Sequence, residues 1–129
     1  EAKINFNPVK EVVSSFVLTG DKQSPRINLL EMGTKNRLGV STFNSNGKIE
    51  VEGLDISNLN KGKSYIFGLE KTGKTLIWKI NETEVLRMEK NEFNFPVYFE
   101  ASAIPVFEIA GHNLPVKLEI DWIKYYRKK

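Results

Sequence analysis

Four stretches of this sequence carry residue types at spacings that could do chemistry. Glu119-Ile120-Asp121 sets two carboxylates at i and i+2, which on a strand share one face, as a general acid and base would require. No third carboxylate follows, so the pair reads as structural, with Asp121 capping or pairing at a sheet edge. His112 is the only histidine and stands in a Gly111-His112-Asn113 turn. With no cysteine in the chain, one histidine cannot assemble a zinc site, and it reads as a loop residue. Residues 68 to 75 satisfy G-x-x-x-x-G-K-T. A phosphate loop must open a helix, whereas this stretch opens into Leu76-Ile77-Trp78-Lys79-Ile80, a strand-like run. It is therefore a hairpin signal, and no nucleotide is expected. Asn81-Glu82-Thr83 is a glycosylation sequon, with meaning only in a secreted eukaryotic chain.

The elements around these stretches alternate apolar and polar residues with period two, the mark of half-buried strands. Ala2 to Asn7 alternates and stops at Pro8, and Val12 to Leu18 is denser and reads as a central strand. Ile27 to Glu31, Leu38 to Phe43 and Ile49 to Val51 follow, the last two joined by Asn44-Ser45-Asn46-Gly47, where Asn-Gly supplies positive φ angles. Lys63 to Glu70 and Thr75 to Ile80 flank a second turn at Lys71-Thr72-Gly73-Lys74. Glu84 to Met88, Val97 to Glu100 and Val116 to Tyr126 complete the set. The nearest helical candidate, Lys10 to Phe16, has a Val-Val-Ser-Ser centre that favours strand. About ten short strands with frequent turns predict a single all-β domain, an antiparallel sandwich or barrel, over residues 1 to 129.

The composition agrees. A chain of 129 residues, 40% hydrophobic and 27% charged, is long enough to bury one core. No apolar run reaches the roughly 18 residues of a membrane span. The net charge of +3 owes much to Arg127, Lys128 and Lys129, which read as a solvated tail, so no nucleic-acid partner is expected. The sequence opens on Glu1, which reads as a processed or trimmed start.

Three segments in the second half resemble the laminarinase-type family 16 glycoside hydrolases. Leu76-Ile77-Trp78-Lys79-Ile80-Asn81-Glu82-Thr83-Glu84-Val85-Leu86-Arg87 is similar to that family's I-x-W-x-[VI]-[ND]-G-x-x-V-x-R hairpin. Phe95-Pro96-Val97-Tyr98-Phe99-Glu100-Ala101 is similar to its F-P-x-[YF]-L-x-[AL] strand. Residues Leu114 to Tyr126 resemble its closing strand, L-P-x-x-[FM]-x-[IV]-D-[YW]-[VI]-[RK]-V-Y. Upstream, Glu1-Ala2-Lys3-Ile4 resembles E-A-[RK]-[IM], a strand that in the family has others before it. The resemblance implies a concanavalin A-like jelly roll whose earlier strands precede Glu1. Either a second chain or an upstream segment then completes the sandwich, or the protein has a pared-down one. It also favours an extracellular or cell-surface setting.

The same resemblance locates a candidate site. The family's signature is E-x-D-x-x-E, and Arg26-Ile27-Asn28-Leu29-Leu30-Glu31 stands in its place. Positions i and i+2 share a strand face, and a bulge before i+5 returns the third residue to it. Retaining hydrolysis needs a carboxylate nucleophile about 5–5.5 Å from a carboxylic acid. Here Arg26 holds the nucleophile position, Asn28 the Asp position, and only Glu31, at the acid/base position, keeps its carboxylate. A guanidinium cannot attack an anomeric carbon. The resemblance therefore implies a non-catalytic module in which Arg26, Asn28 and Glu31 hydrogen-bond sugar hydroxyls, with Trp78 and Tyr98 stacking on sugar rings. The expected ligand is a polysaccharide or oligosaccharide. An active endo-β-glycanase with another nucleophile, and a structural protein-interaction module, are the alternatives. No cofactor or metal site is expected. No segment has calcium-loop spacing, and a structural calcium ion stays open.

Overall fold

The computed structural model describes residues 1–21, 25–43, 45–90 and 96–127. Within them lie ten strands: β1 Ala2–Phe6, β2 Val12–Thr19, β3 Arg26–Met32, β4 Arg37–Phe43, β5 Ile49–Asp55, β6 Lys63–Thr72, β7 Thr75–Ile80, β8 Thr83–Glu89, β9 Tyr98–Pro105 and β10 Ile120–Ile123. They form two five-stranded sheets, ordered β10-β1-β6-β7-β8 and β5-β4-β3-β2-β9, and every pairing is antiparallel. The protein is an all-β sandwich, and the arrangement is compatible with a jelly roll. The segment at residues 10–16, whose Val-Val-Ser-Ser centre favours strand, is strand from Val12 onward, because β-branched residues fit a pleated surface better than a helical turn.

Alternation sets each strand's inward face. In β1, Ala2, Ile4 and Phe6 are buried while Lys3 and Asn5 are half-buried. From the facing sheet come Phe16, Ile27, Leu29, Leu30, Met32, Leu38 and Val40, and Phe67, Leu76 and Trp78 join them from the β6–β7 hairpin. Each such side chain contributes roughly 1.5–3 kcal/mol by leaving water. Trp78 also meets a polar demand, since its indole N–H donates to the carbonyl of Asn28 at 2.9 Å in the buried interior.

Three strands differ clearly from their expected lengths, and β5 runs on past Val51 to Asp55 because all seven of its residues pair with β4. The predicted closing strand over residues 116–126 shrinks to β10, because its ladder is with the five-residue β1, and only Asn5–Glu119 and Glu1–Lys124 backbone bonds extend it. β9 instead runs on to Pro105, since all eight of its residues find partners on β2. The Gly47 and Gly73 turns do adopt positive φ, at 73° and 56°. Asn44 and Phe95, named in the sequence patterns, lie outside the described residues, as do Lys128 and Lys129.

The β7–β8 turn contains a local misfit. Asn81 and Glu82 both sit in the left-handed region, with φ of 48° and 69°, as a two-residue hairpin turn requires. Asn81 suits this place, and its Oδ1 accepts the Ile66 N–H at 2.8 Å. Glu82 gains no such bond among those described, and its Cβ makes the left-handed region cost about 1–2 kcal/mol. Glu82→Gly is therefore expected to raise stability by about 1 kcal/mol in urea unfolding. An unchanged or lower midpoint would contradict this account of the turn.

The sandwich is closed unevenly. On one side β5 lies beside β8, joined by the Lys90–Glu52 ion pair and by a hollow of about 560 Å³ bordered by Leu54, Ile56, Leu59, Ile80 and Val85. The sheet orders put β9 and β10 on the opposite side. There Phe99 and Ile123, though on the inward faces of their strands, stay 41% and 45% exposed.

Candidate functional site

A bulge organises the candidate site. Across β2, Leu30 pairs with Phe16 but Asn28 pairs with Val17, so Leu29 is an extra residue. Across β4, the register likewise shifts between Asn28 and Glu31. Arg26, Asn28 and Glu31 consequently stand opposite Ser41, Gly39 and Arg37 on β4, and opposite Thr19, Val17 and Ser15 on β2. Those partners are alternate residues of their strands, so the three side chains share one outward face. The bulge expected between Asn28 and Glu31 is present, and without it Glu31 would point into the core.

The face is polar, and most of its charge is paired within it. Arg26 reaches across β2 to Glu100 on β9, Nη2 to Oε1 2.9 Å, while its buried Nε has no described partner. Arg37 Nε donates to Glu31 Oε1 at 2.7 Å. The arginine beside Glu31 is thus Arg37, and Arg26 is engaged elsewhere. Asn28 Nδ2 donates to Ser41 Oγ at 2.9 Å, and the Ser15 and Ser102 hydroxyls lie 3.0 Å apart. All four carboxylate and guanidinium groups of the two ion pairs are part-exposed, between 18% and 40% by side chain. Each pair is worth at most about 1 kcal/mol. The pairs hold side-chain geometry more than they stabilise the fold.

On the β4–β5 side of Asn28 the face has no side chains. Gly39 pairs directly with Gly53 across β4 and β5, leaving a trough floored by backbone. The close approach requires both glycines. A Cβ on Gly53 would lie 1.9 Å from the Leu38 carbonyl oxygen, and Gly39 adopts φ of 140°.

The five residues expected at a ligand surface separate accordingly. Tyr98, opposite Thr19 at the edge, is 48% exposed and presents a ring to solvent. Arg26 and Glu31 are part-exposed on the same face. Asn28 is 2% exposed, and its amide is committed to Ser41, so it supports the face from below. Trp78 belongs to the other sheet and is 1% exposed between the two layers. The expectation that it stacks on a sugar does not fit that position, because both ring faces are taken up by the core. Arg37, Glu100, Ser15, Ser102 and the two glycines complete the face. Of these, only the glycines left a sequence signal, since glycine inside a strand pattern marks a close backbone approach.

The arrangement offers hydrogen-bonding groups, and within the Arg26-to-Glu31 stretch only Glu31 carries a carboxylate. The other acidic residues on the face are Glu100 and Asp55, each two strands from Glu31. Two strand spacings are about 10 Å of backbone separation. On the outer face of the other sheet, ion-paired groups shift one another. Lys79 is raised chiefly by its hydrogen bond to Glu70, and Glu84 is lowered chiefly by its hydrogen bond from Arg87. These groups are solvent-exposed ion pairs, which shift one another without marking a site. The Glu119–Asp121 segment lies in the other sheet, where Asp121 faces Lys3 at 3.7 Å. His112 sits in an exposed single-turn 3-10 helix, Gly111–Asn113. Among the described residues no three His, Asp or Glu side chains cluster as a metal site would need, and no helix is long and apolar enough to cross a membrane. Comparison with protein-family models and with curated proteins finds no match to this chain.

Proposed function

We propose that this domain is a non-catalytic carbohydrate-binding module whose ligand lies on the outward face of β4, β3, β2 and β9. The carrying observation is the β3 bulge, which gathers Arg26 and Glu31 on one face while their charges are satisfied by Glu100 and Arg37. A polyhydroxylated ligand needs donors and acceptors held in place beside an aromatic ring. The two ion pairs supply fixed donors and acceptors, Tyr98 supplies the ring, and the Gly39–Gly53 trough leaves room beside them. Because each guanidinium already has a carboxylate, a neutral glycan suits the face better than a polyanionic one, which would have to displace Glu31 and Glu100. A glycan-binding role goes with the extracellular or cell-surface setting expected from the sequence.

Isothermal titration against neutral β-1,3- and β-1,4-glucans, with an acidic polysaccharide alongside, tests the reading. Heat is expected with at least one neutral glucan, and Tyr98→Ala should weaken that binding about tenfold, equivalent to about 1.4 kcal/mol. Silence from every polysaccharide would remove the proposal. No new reducing ends are expected on incubation. Their release would instead favour an endo-β-glycanase using another nucleophile, and if Glu31→Gln kept that release, Glu31 would have no part in it.

A further inference from the structure

Apolar exposure is concentrated at one side of the sandwich. Among the described residues, ten of the twelve exposed large hydrophobic ones fall between Val97 and Tyr126, on β9, β10 and the segments around them. The sheet edges on the other side are protected. β5 carries Glu50, Glu52 and Asp55, and β8 carries Glu84, Arg87 and Glu89, the charges that keep open edges from pairing. β9, by contrast, reads Tyr-Phe-Glu-Ala-Ser-Ala-Ile-Pro, and its one charge, Glu100, is already held by Arg26. An eight-residue apolar edge of this kind is a template for another strand.

We propose that β9 pairs with β9 of a second copy of this chain, antiparallel, about a two-fold axis through Ala101. The choice of occupant rests on self-complementarity. For the two sandwiches to continue one another, core faces must align with core faces, which places the axis on a residue rather than between two. Centring on Glu100 would oppose that carboxylate to its own copy. Centring on Ser102 would set Phe99 against Pro105 of the partner subunit, which has no N–H to offer a ladder. Centring on Ala101 sets Phe99 against Ala103 of the partner subunit, large against small, on the core side. Phe99 already stacks on Phe16, ring centroids 5.5 Å apart and 8° from parallel, and this pairing covers its remaining exposure. On the outward side the same register sets Glu100 against Ser102 of the partner subunit, and Tyr98 against Ile104 of the partner subunit. No like charges meet. The two five-stranded sheets become one sheet of ten strands, and the polar faces run together across the axis.

Sedimentation equilibrium on the full chain tests this, with a mass of twice 14.8 kDa expected at raised concentration. Ala101 is exposed in the monomer, so Ala101→Lys and Ala101→Glu should each fold. Each should also weaken dimerisation about a hundredfold, because the axis sets each new charge against itself. Mixed in equal amounts, the two should form a heterodimer, since lysine then faces glutamate. A chain that stays monomeric up to its solubility limit overturns the proposal and leaves the edge to a strand of another polypeptide. A dimer untouched by both substitutions, or a mixture that stays monomeric, overturns it equally. Backbone amide exchange over residues 98–104 gives a reading free of mutation. Protection that rises with concentration supports the pairing, and protection independent of concentration refutes it.

Discussion

Trp78→Ala should destabilise the domain by about 3–5 kcal/mol, the range for deleting a large buried aromatic. For a protein whose total stability is on the order of 5–15 kcal/mol, that is a large fraction, and the variant should melt far below the parent. Two effects add. The indole is buried between the sheets in the core cluster that also holds Leu76, Phe67 and Ile4, and its removal leaves a cavity that rigid strands cannot close. Its N–H also satisfies the buried Asn28 carbonyl, which would be left without that donor. Trp78→Phe separates the two. It keeps most of the volume and loses the donor, so about 1–3 kcal/mol is expected. Urea unfolding monitored by circular dichroism gives both values. If Trp78→Ala instead kept its midpoint and lost only glucan binding, Trp78 would be a ligand contact and the core assignment would be wrong.

Gly53→Ala is expected to cost about 2–4 kcal/mol, combining overpacking with broken ladder bonds. Its new methyl would fall 1.9 Å from the Leu38 carbonyl oxygen and 3.0 Å from the Gly39 Cα, and both obstacles are backbone. No side-chain rotation relieves them, so β5 must move away from β4. Gly47→Ala is the control. It occupies a positive-φ turn with nothing within 4 Å of the added methyl, and should cost only about 1 kcal/mol. Chemical denaturation of the pair decides the matter. A Gly53→Ala variant within about 0.5 kcal/mol of the parent would mean that the two strands are not so closely apposed. Because these glycines floor the trough, the same variant should also weaken any glucan bound there.

Period-two alternation made the all-β class legible in the sequence, because a strand's two faces differ in solvent and the residue types record that difference. The shared face and bulge of the Arg26-to-Glu31 stretch were implied only by the resemblance, since plain alternation would put positions 28 and 31 on opposite sides. Alternation does not say which of two apolar neighbours faces inward. Ile77 and Trp78 are equally apolar, and only the register of β7 against β6 and β8 put Trp78 in the core. Nor does it say what lies over a face. Asn28 looked available to a ligand, yet tertiary packing buried it and gave its amide to Ser41. The ion pairs divide by distance along the chain. Glu31 and Arg37 are neighbours through one turn, whereas Arg26 finds Glu100 only because β2 carries β9 to within a side chain's reach of β3. By itself, then, the sequence determined the strands and their polar faces, both consequences of local residue order. The tertiary structure decided which of those faces are covered, which charges meet, and which edge stays open, because each depends on strands brought together from distant parts of the chain.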